Sequence, residues 1–142
     1  MMRKGTIIMV DDDADDLYIF KDIVEELGIR NPVECFEDAA SCFNYLQNSK
    51  QEILIIFSDI NMPGIDGMEF KRRINSNPEI AGQHIPFIFY STAASKENVR
   101  EAFEALRVNG FFVKNPMYTE VKNLMAHIIN YWSQTRYLDV AG

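Results

Sequence analysis

Two cysteines in 142 residues, Cys35 and Cys42, are too few and too awkwardly spaced for a CxxC redox pair or a zinc knuckle. Both read as reduced thiols, with Cys42 packed on a helix face. The two histidines, His84 and His127, lie far apart with no cluster of ligand-type residues beside them, so a histidine-based metal centre or catalytic dyad is not expected. Basic residues are also scarce. Fourteen Lys and Arg oppose 21 Asp and Glu, a formal charge of −7, and affinity for nucleic acid comes largely from phosphate neutralisation by Lys and Arg. Neither nucleic acid nor a membrane surface is therefore an expected partner. Long apolar runs are missing too, since none approaches the ~20 residues of a spanning helix. The start, Met1-Met2-Arg3-Lys4, resembles that of a signal peptide, but the apolar run Ile7 to Val10 meets Asp11, Asp12 and Asp13 too soon for an h-region. The expected location is the cytoplasm.

What the chain does have is enough apolar residue, 47%, to build a core, with 25% charged residues to cover it. Its length suits one domain and its composition rules out disorder as the main state. Short apolar runs alternate with amphipathic segments. Thr6 to Val10, Val33 to Phe36, Ile53 to Phe57, Phe87 to Tyr90 and Phe111 to Val113 read as strands. Helical spacing joins Leu17, Phe20, Val24 and Leu27, then Val99, Ala102, Phe103 and Leu106, and finally Val121, Leu124, Met125, Ile128, Ile129 and Trp132. Ala39 to Gln47 and Gly67 to Asn75 supply two shorter helices, so five are expected. Gly28 and Pro32, Pro63 to Gly67, and Asn77-Pro78 with Gly82 punctuate the boundaries. The alternation implies an α/β fold, a doubly wound parallel sheet covered on both faces, whose buried strands are nearly continuously apolar, as Ile53 to Phe57 is.

In such sheets ligands bind beyond the carboxyl ends of the strands. There the first strand carries Asp11, Asp12 and Asp13, the third Ser58-Asp59, the fourth Ser91-Thr92 and the fifth Lys114. Each has an ordinary explanation as well: Asp13 or Asp15 as a helix N-cap, Ser91 as a turn residue, Lys114 as a surface charge. Asp59 is harder to dismiss in this way, because it follows a wholly apolar strand and precedes Pro63 and Gly64, which puts its carboxylate at a buried strand end. Crowded carboxylates repel, and a hard divalent cation with oxygen ligands relieves them, which points to Mg²⁺. A carboxylate nucleophile, a metal, a hydroxyl and an ammonium together are what phosphoryl transfer to an Asp requires.

These residues closely resemble the receiver domain of two-component response regulators, over roughly Lys4 to Trp132, and most specifically along Ser58-Asp59-Ile60-Asn61-Met62-Pro63-Gly64-Ile65-Asp66-Gly67. The resemblance implies a flavodoxin-like, five-stranded parallel sheet of order 2-1-3-4-5. It implies a single receiver domain over 1–142, with a core of about 4–132 and a C-terminal extension at 133–142. It also implies that Asp59 accepts a phosphoryl group from a histidine kinase or phosphotransfer protein. By the same resemblance Asp11 and Asp12, with Asp59 and the Asn61 carbonyl, hold Mg²⁺; Ser91 is the switch hydroxyl, Lys114 the site lysine, and Phe111 the aromatic that reorients or else an ordinary core ring. Such a protein is a switch rather than an enzyme, catalysing only its own phosphorylation and dephosphorylation, with output through protein contacts. The downstream target is unnamed and a homodimer is left open.

The family usually has Lys followed directly by Pro in a cis peptide, whereas Asn115 separates Lys114 from Pro116 here. A cis bond not involving proline costs ~2.5–4 kcal/mol against ~0.5–1 before proline. A trans Lys114-Asn115 bond is therefore expected, with any cis isomer confined to Asn115-Pro116. Thr92 competes with Ser91 for the hydroxyl position, and spacing from Pro86 and Lys96 favours Ser91. Two rival classes remain in view: a haloacid-dehalogenase-type Mg²⁺-dependent phosphohydrolase, from Asp11-x-Asp13, and a phosphorylation-independent interaction module of the same fold. An EF-hand built on Asp11, Asp13 and Asp15 fails, because Asp16 replaces the turn glycine and Asp22 the bidentate Glu.

Overall fold

The structure is a computed structural model, and it describes residues 4–135. Five strands, β1 (Thr6–Val10), β2 (Val33–Phe36), β3 (Ile53–Ser58), β4 (Phe87–Ser91) and β5 (Gly110–Val113), pair in parallel in the order β2-β1-β3-β4-β5. The helices are α1 (Ala14–Glu26), α2 (Ala39–Asn48), α3 (Gly67–Ser76), α4 (Pro78–Ala81), α5 (Lys96–Glu104) and α6 (Tyr118–Gln134). Every residue of β1, β3 and β4 is buried, which is why those strands are apolar on both faces. Period-two alternation divides β1 between two cores. Ile8 and Val10 join a cluster with residues of α2, α3 and α5, while Ile7 and Met9 join one with Leu17, Phe20, Met125 and Ile129 of α1 and α6. α6 ends at Gln134, and residues 136–142 of the expected C-terminal extension lie outside the described residues.

Among the described residues six helices stand where five were expected. The added one, α4, is a single turn set between α3 and β4. Asn77, read from the sequence as a stop, is both stop and start: its Oδ1 accepts from the N–H groups of Glu79 and Ile80, each at 3.1 Å. Pro78 then occupies the first helical position, where its missing N–H costs nothing. Ile80, 1% exposed, ties the turn to the core. At α1 the choice between the two candidate caps falls to Asp13, whose Oδ1 accepts from Asp15 N–H at 2.9 Å, and Cys42 is buried on α2 as expected.

α3 starts hard against the end of β3. Gly67 N–H donates to Ile60 O at 2.8 Å, and a Cβ at this position would lie 2.2 Å from the Asp59 carbonyl oxygen and 2.8 Å from Ile60 Cα. Only glycine admits the helix there. Both obstacles are backbone, so neither can rotate away. Gly67→Ala is expected to destabilise the fold by about 1–3 kcal/mol, the usual cost of overpacking a closed site, seen as a lower urea midpoint; an unchanged midpoint would show that the Asp59–Ile60 backbone yields freely.

Candidate functional site

The charged side chains of the site are set by backbone bonds one residue beyond each strand. Asp11 N–H donates to Phe36 O at 3.0 Å, Asp59 N–H to Val10 O at 2.9 Å, and Lys114 N–H to Ser91 O at 3.1 Å, so each continues its ladder as the strand ends. These bonds place Asp11, Asp59 and Lys114 on one edge. The Lys114 Nζ donates to Asp11 Oδ2 at 2.7 Å, to Asp16 Oδ2 at 2.8 Å and to Asp59 Oδ2 at 2.9 Å. One ammonium thus spends its three donors on three carboxylates. The second oxygens of Asp59 and Asp11 are also held: Asp59 Oδ1 accepts from Ile60 N–H at 2.7 Å and Asp11 Oδ1 from Asp13 N–H at 3.0 Å.

Electrostatics follow from this sharing. Burial at 1% exposure pushes the Asp11 carboxyl above its ordinary range, the bonds from Lys114 and Asp13 only partly oppose it, and the Asp59 charge adds to the rise. For Lys114, burial pulls the ammonium down, but its bonds to Asp11, Asp16 and Asp59 outweigh burial and hold it above the usual lysine range. The two directions are consistent because one positive charge cannot neutralise three negative ones. The most buried carboxylate is left under-compensated.

Asp11, Asp12 and Asp59 each offer an oxygen within 4.8 Å of the others, Asp12 being the exposed member. Opposite ligands of an octahedral Mg²⁺ stand about 4.2 Å apart at Mg–O distances of 2.0–2.1 Å, so the cluster is close to the size such an ion demands. Asn61 lies on the exposed loop two residues past Asp59. Ser91 is buried at 1% exposure as the last residue of β4, its Oγ accepting from Ala93 N–H at 3.1 Å, whereas Thr92 is exposed. Asn98 on α5 donates to Ala93 O at 2.8 Å and so fastens the turn after Ser91 to that helix. Phe111 is half-buried, its ring centroid 5.8 Å from that of Phe89, beside the same core cluster that Ala93 borders.

The loop after β5 takes the form expected on energetic grounds. Among the described residues all peptide bonds are trans, Lys114–Asn115 and Asn115–Pro116 included. Asn115 supplies the turn itself, its Oδ1 accepting from Met117 N–H at 2.8 Å. Asp16 is the site residue that the sequence reading overlooked. Its position three residues after the N-cap Asp13 places it in the first turn of α1, where an acid is commonly there for the helix dipole. The available signal was geometric: the first turn of a helix that begins at the strand end overhangs the same edge. Asp13, in contrast, spends its carboxylate on the cap, which removes the second acid that a dehalogenase-type site would need.

The model of the response regulator receiver domain matches residues 7–128 of this chain. The chain belongs to the response regulator receiver family. Among curated relatives it is 31% identical over 108 residues to the chemotaxis protein CheY-3 of Vibrio cholerae, covering 76% of this chain and 78% of that one. Among solved structures it is similar to the phosphorylated cyanobacterial phytochrome response regulator RcpA, with a TM-score of 0.84 at 21% identity over 95% of this chain and 98% of the other. It is also similar to the Mn²⁺-bound form of response regulator Rcp1, with a TM-score of 0.81 at 22% identity over 96% and 99%. The receiver fold and the signalling role of the family thus agree with the sheet order expected from sequence.

A pH-dependent stability follows from Asp11. Its folded pKa lies above the ordinary 3.8, so folding favours the protonated form; that contribution is complete below about pH 4 and is lost as pH rises through the folded value. Asp11→Asn, which keeps the shape and an acceptor for Asp13 N–H, is expected to melt above the parent at pH 7 in chelator. The gap should close as pH falls below 4. A variant that melts lower than the parent at pH 7 would show that the Lys114 bond outweighs burial.

Proposed function

We propose that Asp59 is the phospho-acceptor of this receiver, taking a phosphoryl group from the phosphohistidine of a histidine kinase or phosphotransfer protein in the cytoplasm. The observation that carries this reading is Asp59, a residue 8% exposed whose carboxylate is bonded to Lys114 at 2.9 Å and grouped with Asp11 and Asp12. A carboxylate oxygen of Asp59 attacks phosphorus, the P–N bond to the imidazole breaks, and the product is an acyl phosphate. Lys114 is placed to pass from a carboxylate oxygen to a phosphoryl oxygen without changing its own anchor at Ser91 O.

Asp11, Asp12, Asp59 and the Asn61 carbonyl are the residues that would hold Mg²⁺. The donor set fits, being hard oxygens with an under-compensated carboxylate among them. When bound, the ion spreads the negative charge that develops on the transferring group. With the ion held by Asp11, the Asp16 bond to Lys114 at 2.8 Å would still keep that ammonium within the site.

Ser91 and Phe111 carry the response in this reading. New phosphoryl oxygens accept from the Ser91 O–H and draw its side chain away from Ala93 N–H, and because Asn98 fastens the Ala93 turn to α5, movement of Ser91 reaches that helix. Phe111, half-buried beside Phe89, turns inward into the space that Ser91 vacates. The surface formed by α5, β5 and α6, where Phe103, Val113 and Met117 are exposed, then changes its affinity for a protein partner.

Acetyl phosphate with Mg²⁺ is expected to add one phosphoryl mass to the parent protein. Asp59→Asn should add none, and chelation of the metal should abolish the gain. Lys114→Ala should slow phosphorylation at least tenfold while still binding Mg²⁺, and phosphorylation of Asp59→Asn to the parent's extent would overturn the assignment. In the phosphorylated protein Asn61→Ala is expected to alter the hydrolysis rate, since an exposed amide two residues past Asp59 can orient attacking water; identical decay curves would remove Asn61 from that role.

A further inference from the structure

At the opposite end of the strands a cavity of about 430 Å³ opens between α3, α4 and the segment leading into β5. Its charged and titratable lining is entirely basic, Lys71, His84 and Arg107, in a chain whose net charge is −7. Lys71 is the unusual member. It is 8% exposed, its Nζ donates to Asn75 Oδ1 at 2.7 Å and lies 5.4 Å from the centroid of the Phe87 ring, and no carboxylate pairs with it among the described residues. Burial accordingly pulls the Lys71 ammonium below the usual lysine range. A buried ammonium partnered by an amide oxygen and a ring face is costly, because neither supplies the missing counter-charge. Arg107 has no carboxylate partner among the described residues either.

The surrounding groups complete a receptor of a particular kind. Asn109 uses its Oδ1 on Phe87 N–H at 2.9 Å, so its Nδ2 remains as a donor on the wall. Asn75, bonded through Nδ2 to Leu106 O at 3.0 Å, holds Lys71 in place. Ile74, Ile80 and Ile85, with Ala81, form the apolar part of the lining. His84 and Arg107 both have left-handed backbones, φ 52° and 57°, a conformation uncommon away from glycine. The volume is within the range of small-molecule pockets, roughly 300–1,000 Å³.

We propose that this cavity binds a small phosphomonoester, its phosphate set between Lys71, Arg107 and the Asn109 amide and its body against Ile74, Ile80 and Ile85. Two cationic side chains match a dianion better than a monoanion, which favours phosphate over a carboxylate. The site is separate from Asp59, because it lies at the amino ends of β4 and β5 and needs no divalent ion.

Phenyl phosphate is the probe, titrated into ¹⁵N-labelled full-length protein in chelator at fixed ionic strength, with inorganic phosphate, benzoate and chloride as comparisons. Saturable amide shifts at Lys71, Ile74, His84, Arg107 and Asn109 are expected, with benzoate at least tenfold weaker. Lys71→Met should bind phenyl phosphate at least tenfold more weakly while melting no lower than the parent, since it removes a buried charge and keeps the stem. Arg107→Asn, which tolerates the left-handed backbone, should weaken binding in the same way and decides the matter if Lys71→Met fails to fold. Shifts confined to the Asp59 end, shifts reproduced by chloride, equal binding of benzoate, or undiminished binding by Arg107→Asn would each overturn the proposal.

Discussion

One ammonium shared by three carboxylates is the constraint on which the rest of this protein depends. Lys114 can reach Asp11, Asp16 and Asp59 only if the ends of β1, β3 and β5 and the first turn of α1 are brought to one edge. The parallel sheet does this by construction, since all its strands end on the same side. Repulsion among the acids is relieved only in part, which leaves a site in want of further positive charge. A fully neutralised cluster would hold its fold as well and have no use for a metal.

The sheet tolerates this charged edge because its interior is so thoroughly apolar. With β1, β3 and β4 buried along their whole lengths, charged residues are kept out of them, and Asp11, Asp59 and Lys114 stand at the first position past β1, β3 and β5, where a backbone bond still fixes each. Position is thus inherited from the ladder and chemistry from the side chain. Gly67 shows how closely the two are joined: the helix that follows the Asp59 loop packs on the backbone of Asp59 and Ile60, so α3 and the site share a wall.

Much of this was legible in the residues alone. The strands announced themselves as short apolar runs, and Asp59 and Lys114 stood out as polar residues placed just after two of them. Asp16 stayed hidden because an acid in the first turn of a helix has a sufficient local explanation, and its distant partner is separated from it by 98 residues. α4 was missed because a single turn is too short to display a period, although Asn77-Pro78 holds the chemistry of its cap. Lys71 reads as a polar position on an amphipathic helix, and nothing local reveals that α4 and the approach to β5 close over it. What escaped the sequence is what depends on elements far apart in the chain.

The separations across the Lys114 cluster, 103 residues to Asp11, 98 to Asp16 and 55 to Asp59, bear on the order in which the protein comes into being. Synthesis proceeds from the amino terminus, so the three acids exist for most of translation without their cation. The central strands β1 and β3 can associate early, driven by apolar surface, but the charged edge is completed only when β5 docks. Contacts of such long range form late, after the loops between them have been closed. Bonds absent from the folding transition state act mainly on the rate of escape from the native state. The lysine that gathers the three carboxylates is therefore also the clasp that lengthens the life of the finished molecule.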